Sequence, residues 1–291
     1  MIIEFKKLLK NKLTYISFGI MILIVIGNTW MGTRLFYEDY AVSKRIFANF
    51  PDSLALVAPH RYWAISYGTF FAALYYFIFP LLIALPIVDT IYKERSSGNQ
   101  RYQILRMSRF SYYLNKFLFT FIVSFLFFVL PLLLDMFLFN LITGKWDYSD
   151  YARAYHKLVN GTAVLGDSTS YGEKRELFSP LMEISPYLYF LAYLIIGGLY
   201  AGLYTAFGLA SSLYMKNRYL ILFTPFSLYI GYWIIFSLLG FQAWDPFNFL
   251  AATEPVTSMS YPPFIVVFTL LMAVTLILYI AGVRKQADLF D

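Results

Sequence analysis

The sequence predicts an all-α polytopic membrane protein. Six transmembrane helices are expected with both termini cytoplasmic, together with an amphipathic interfacial helix at the N-terminus and a cytoplasmic helix between the second and third spans. Three observations carry this reading. Of 291 residues, 59% are hydrophobic and only 14% charged, with a mean hydropathy of +0.60, which excludes an ordinary soluble domain. Six apolar runs, at about 13–30, 66–88, 117–142, 187–213, 219–239 and 264–283, each approach or exceed the roughly 20 residues an α-helix needs to cross a bilayer core. The cations are also unevenly shared. The N-terminus, the second–third loop, the fourth–fifth turn and the C-terminus hold 14 Lys and Arg, whereas the longer opposite loops, 31–65, 143–186 and 240–263, hold 9. Cations beside membrane spans stay in the cytoplasm, so those three loops are expected to be extracellular.

In chain order, Met1–Lys12 places Lys6, Lys7, Lys10 and Lys12 before the first apolar run. That run is long, ends in the bulky GNTWMG and is followed by five more, so it reads as a retained helix rather than a cleaved signal. Ile2, Ile3, Phe5, Leu8 and Leu9 interleave with the lysines at helical spacing, which suggests a helix lying in the interface; a plain basic flank is the alternative. Residues 31–65 are too polar to span. The second run carries Pro80 and Pro86, each of which removes a backbone donor and favours a bent helix.

Asp89–Lys116 is a polar segment between two apolar runs, with Lys93, Arg95, Arg101, Arg106, Arg109 and Lys116 against Asp89 and Glu94. Within it, Tyr102, Leu105 and Phe110 can share one helical face while Arg101, Gln103, Arg106 and Arg109 occupy others, so a short amphipathic helix along the inner membrane surface is expected. Residues 143–186 form the longest polar excursion and the one plausible soluble subdomain. It includes a sequon at Asn160, Gly161 and Thr162, a pattern too short to assign a glycosylated origin. In the fourth run, Gly198, Gly202, Ala206 and Ala210 recur every four residues and leave a face that another helix can approach closely, by ordinary packing or beside a substrate path. The loop 240–263 has no Lys or Arg, and Trp244, Phe247 and Phe249 suit the outer interface.

Catalytic chemistry is sparse. No GxxxxGK[ST] occurs, and no lysine is followed by Ser or Thr, so the chain builds no phosphate loop of its own. With no cysteine and two histidines, His60 and His156, there is no thiolate site, no HExxH and no zinc-ligand spacing. A serine nucleophile would find no base in the apolar runs. The basic balance, +6 with a pI near 9.2, belongs to the membrane flanks rather than to nucleic-acid binding. Asp135 is the one Asp, Glu, Lys, Arg or His within the six predicted spans. At mid-bilayer a carboxylate costs roughly 2.5–3.5 kcal/mol, so a structural contact, a role in substrate passage or proton coupling are its three readings. No internal repeat pairs the first three spans with the last three, which argues against an inverted-repeat secondary transporter.

Glu94 and Gly98, then Ser108, Arg109, Tyr112, Leu114 and Lys116, form E-x-x-x-G after the second span and S-R-x-x-Y-x-L-x-K entering the third. This pattern resembles the ABC-2 type transporter permeases, as does Glu4 with Lys7 and Lys12 before the first span. Asn99 stands where the family often has Thr, and Met107 where a proline is common. The resemblance implies the membrane subunit of an ABC exporter in a bacterial plasma membrane. Such a subunit is not itself an enzyme and holds no cofactor; it pairs with a second permease copy or paralogue and with separate ABC ATPase subunits that bind the ATP. It further implies that Glu94, Gly98, Arg101, Arg106, Ser108, Arg109 and Lys116 serve ATPase coupling; Asp135, Gly198 and Gly202, read from the spans themselves, are the candidates for bordering a translocation path. An amphipathic or antimicrobial peptide is the cargo class it suggests. The competing reading is a non-transporting immunity or sensor protein that binds peptides through its outer loops.

Overall fold

A computed structural model describes residues 2–49, 54–66, 68–159, 178–250, 252 and 261–287. Among them there are no strands, and six helices are long and apolar enough to cross a membrane; the chain is a multi-pass helical membrane protein. The helices are α1 (Ile2–Lys10), α2 (Lys12–Ile46), α3 (Phe70–Ile87), α4 (Thr90–Ser96), α5 (Asn99–Arg106), α6 (Arg109–Thr143), α7 (Ser149–Val159), α8 (Ser179–Ile184), α9 (Pro186–Ser211), α10 (Arg218–Leu238), α11 (Phe247–Leu250) and α12 (Tyr261–Ala287).

The bundle is built around α9. Of its most apolar window 72% is buried, against 22% for α10 and for α12, so α9 is the axis and the other two are peripheral. Its glycines make this possible. A Cβ on Gly197 would run into the Phe128 ring, one on Gly198 would lie 2.5 Å from Phe125, and one on Gly202 3.0 Å from Phe121. The small face therefore receives a row of phenylalanines from α6, and Thr205 donates to Ser124 (2.7 Å) at its end. Within α6, Pro131 removes one backbone donor, and the buried Phe128 carbonyl in the preceding turn accepts from the Tyr75 hydroxyl (2.6 Å).

The first span does not stop at Trp30. Helix α2 continues to Ile46, 35 residues or about 52 Å, well beyond a core about 30 Å thick. No Gly or Pro interrupts residues 33–46, Arg34 pairs with Glu38 one turn on (2.8 Å), and Phe36 is buried against Tyr62, so the polar half of the expected loop has reasons to stay helical. Likewise α6 starts at Arg109, where Ser108 accepts from the Ser111 N–H (3.2 Å) as its N-cap.

The segment 143–186 is not a separate subdomain in its described part. Tyr148 is buried and donates to Asn140 (2.6 Å), while Tyr187 donates to the Trp146 carbonyl (2.9 Å). Helix α7 sets Tyr151 against His60 at 4.2 Å, and Tyr148 meets the same ring at 5.2 Å. His60 is 1% exposed with neither ring nitrogen partnered; burial, with a smaller contribution from Arg61, pushes its imidazole down to about 3. The sequon at Asn160 lies outside the described residues. Phe249, expected at the interface, is in the core: α11 dips into the bundle, where Tyr76 donates to the Leu250 carbonyl (3.2 Å) and the Ala252 N–H reaches Ile65 (2.9 Å).

Candidate functional site: an ionic hub at the basic end

The ends of α3 and α12, the starts of α2, α6 and α10, and the α9–α10 turn gather at one end of the bundle, which carries most of the clustered cations. Helix α4 is its centre, seven residues placed immediately after α3 and aimed by three charged side chains in different directions. Asp89, fully buried, accepts from Arg218 Nε (2.6 Å) at the first residue of α10, and Lys93 Nζ lies 2.9 Å away as an ion pair. Arg95 turns the other way and covers the end of α9, with its guanidinium 3.1–3.4 Å from the carbonyls of Ser212, Leu213 and Met215. A cation over the last carbonyls of a helix satisfies acceptors that have no intrahelical donor.

Glu94 is the third arm. It is 7% exposed and accepts from Lys7 Nζ of α1 (2.6 Å), Lys116 Nζ of α6 (2.6 Å) and the Tyr112 hydroxyl (2.5 Å). Glu4 of α1 completes the cluster, accepting from Lys7 (3.0 Å) and Lys116 (2.6 Å). Two lysines thus face two glutamates, so the cluster is neutral, and every carboxylate oxygen has a donor. That arrangement is the condition under which buried ions are tolerated at all. Burial works against the charge on Lys7, but the hydrogen bonds to Glu94 and Glu4 outweigh it and raise its pKa above the usual lysine value. Lys116 is 2% exposed and sits over the Tyr112 ring at 5.7 Å.

After α4 the chain reverses at Gly98, which has φ +74°, a left-handed conformation that costs a glycine little. Helix α5 follows. Its inner face is anchored, since buried Gln100 donates to the Tyr113 hydroxyl (2.8 Å), and Ile104 packs beside Met107 against Tyr112 and Tyr113. Its outer face is apolar and open: Tyr102 is 69% and Leu105 83% exposed, with Phe110 of α6 beside them at 74%. Arg101 and Arg106 flank that patch on the surface. Between α1, the end of α3, α4 and α5 lies a half-open cleft of about 300 Å³.

The sequence-predicted residues therefore fall in three places. Glu94 and Lys116 are buried and engaged with each other, which leaves them positioning the hub rather than touching a partner; Ser108 caps α6, Arg109 is half-buried, and Arg101 and Arg106 lie at the surface. Gly198 and Gly202 sit under phenylalanine rings. Asp135 lies near the opposite end, fully buried and held by Asn28 Nδ2 (3.0 and 3.2 Å), Thr29 Oγ1 (2.7 Å) and the Ala64 N–H (2.6 Å). Thr69 donates in turn to Asn28 (2.5 Å), so this knot ties α2 and α6 to the entry of α3. Asp89, Arg95 and Arg218 are hub residues that the sequence alone did not single out. The signal for two of them is a charge abutting an apolar run, Asp89 after Val88 and Arg218 before Tyr219, where burial demands a partner. No group of three metal-ligating side chains occurs among the described residues. No family model matches the chain, and no curated protein or solved structure shows significant similarity to it.

Proposed function

We propose that the chain is the membrane-spanning permease subunit of an ATP-driven exporter of the ABC-2 type, paired with a second permease and driven by separate ATPase subunits. The observation that carries this reading is the contrast between the two sides of the α4–α5 unit. Outward it presents Tyr102, Leu105 and Phe110 with flanking Arg101 and Arg106; inward it is bonded to α1, α6, the end of α9 and the start of α10. A push delivered to α5 reaches four elements of the bundle through short charged contacts, which is what conversion of ATPase closure into helix movement requires. The basic end then faces the cytoplasm, in line with its cations. The E-x-x-x-G and S-R-x-x-Y-x-L-x-K segments coincide with α4, Gly98 and the start of α6, and they support the same family.

The test is co-purification with an ABC ATPase, sought among the reading frames neighbouring this one. Arg101→Glu with Arg106→Glu should abolish capture of the ATPase while the permease level stays normal; unchanged capture removes the proposal. Ser97→Cys should be shielded from an impermeant thiol reagent in intact cells and Lys145→Cys should react, and the reverse pattern would invert the topology.

A further inference from the structure

We infer that the cleft between α1 and α4 is a binding site for the phosphate group of an anionic phospholipid; its assignment to the inner leaflet rests on the topology proposed above. The donors on its wall exceed what the protein uses. Lys7 Nζ has three N–H groups and spends two, on Glu4 and Glu94. Lys93 stands 2.9 Å from Asp89 Oδ1 as an ion pair without hydrogen-bond geometry, so its own donors remain available. Asn99 and Gln103, each with a side-chain amide, line the same cleft.

The carboxylates, by contrast, are engaged: each oxygen of Glu94 and of Glu4 already receives a lysine or tyrosine donor, so neither is left open to hold a cation. The charges in and directly behind the wall also favour an anion: Lys7, Lys93 and Lys116 face Glu4 and Glu94, while Asp89 is matched by Arg218. A phosphodiester, with one negative charge and two free oxygens, fits that surplus of donors. The volume, about 300 Å³, lies at the small end of ligand sites, suited to a headgroup rather than a whole amphiphile.

Position separates a lipid from a free anion. The cleft is floored by Leu8, Ile87 and Phe119, which give the first carbons of a lipid an apolar surface. Helix α1 exposes Phe5 and Leu9 along one side and Lys6 and Lys10 along the next, with Ile3 beside the lysines, so apolar and basic groups share the exposed surface of a helix suited to headgroup depth. A lipid phosphate in the cleft would bridge α1 to α4, so the membrane itself would help hold the hub closed.

The experiment uses the full chain purified in an uncharged detergent, with no ATPase present, and reads retained lipid by native mass spectrometry. Phosphatidylglycerol, phosphatidylcholine and glycerol 3-phosphate are added separately. Phosphatidylglycerol should bind. Lys7→Gln with Lys93→Gln should weaken it at least about tenfold, as expected for losing hydrogen bonds to a charged group. Asn99→Ala with Gln103→Ala, which removes two amides with no partner among the described residues, should weaken it in the same direction and keeps the test alive if the lysine variant fails to fold. Lys6→Gln with Lys10→Gln, charges on α1 outside the cleft, should have little effect. Equal loss in that variant, undiminished binding in both cleft variants, or binding of glycerol 3-phosphate as tight as the lipid would each overturn the inference. Because neither nucleotide nor cargo is involved, its failure is separable from failure of the exporter reading.

Discussion

Replacing Glu94 by glutamine keeps the side-chain shape and removes one charge from the hub. Three donors then face an amide whose single carbonyl oxygen cannot receive them all, and two ammonium groups share the one remaining carboxylate, Glu4. Stripping a buried ion of its only partner costs about 3–5 kcal/mol; here Lys116 keeps Glu4 and Lys7 is 43% exposed to water, so about 2–3 kcal/mol is expected. At roughly 2–4 °C per kcal/mol for a chain of this order of size, the melting midpoint of purified protein in detergent should fall by about 5–10 °C. Adding Lys116→Met removes the surplus cation and should restore part of the loss, the mark of a direct coupling in a double-mutant cycle. Glu38→Gln supplies the contrast, because the Arg34–Glu38 pair is exposed on both sides and should leave the midpoint unmoved. The drop should also be the same at pH 6 and pH 8. A lysine with a raised folded pKa contributes fully below its unfolded value, 10.5 for Lys7, and loses that contribution only as pH rises past the folded one. A Glu94→Gln protein that melts with Glu38→Gln and the native chain would refute the hub.

Gly197→Ala drives a Cβ into the buried Phe128 ring and should cost about 1–3 kcal/mol in the same melting assay, whereas Gly19→Ala, with nothing within 4 Å, should be neutral or slightly stabilising. Asp135→Asn turns an acceptor with donors on both oxygens into a group with two donors of its own, so about 1–3 kcal/mol should be lost and the protein level should fall; a stable, abundant variant with export abolished would instead make Asp135 part of the path. Asp245 is 3% exposed, and burial lifts its carboxyl to about 6 against the Phe247 N–H bond, which lowers it. A folded value above the unfolded 3.8 stabilises fully below 3.8 and less as pH passes about 6, so residues 245–250 should resist hydrogen exchange better near pH 5 than near pH 7.5 once intrinsic rates are corrected. Asp245→Asn should erase that difference, and a native profile flat in pH would dismiss it.

The membrane class and the number of long apolar helices were legible because lipid imposes a simple rule, twenty apolar residues per crossing, that composition displays directly. The close approach at Gly198 and Gly202 was legible for a similar reason, since four-residue spacing puts both on one face whatever lies opposite. What the sequence could not display was partnership. Lys7 and Glu94 are 87 residues apart, Glu4 and Lys116 are 112 apart, and nothing local distinguishes a lysine that will be 2% exposed from its surface neighbours. The α2 extension past Trp30 is hidden because polarity ends a helix's contact with lipid without ending the helix. Phe249 went wrong the same way: an aromatic loop suits an interface, but the backbone bonds at Leu250 and Ala252 draw it inward.

Helix α6 is a single rod of 35 residues, about 52 Å from Arg109 to Thr143, with Lys116 clamped near one tip and Asp135 knotted near the other. A tilt of about 5° pivoted at Lys116 would move Asp135, about 28 Å along the rod, by about 2–3 Å, enough to tear it from donors that tolerate only tenths of an ångström. Were the donors on α2 and ahead of α3 to stay in place, the two anchor points could not both survive such a swing, so Asp135 would act as a catch on any movement of the rod.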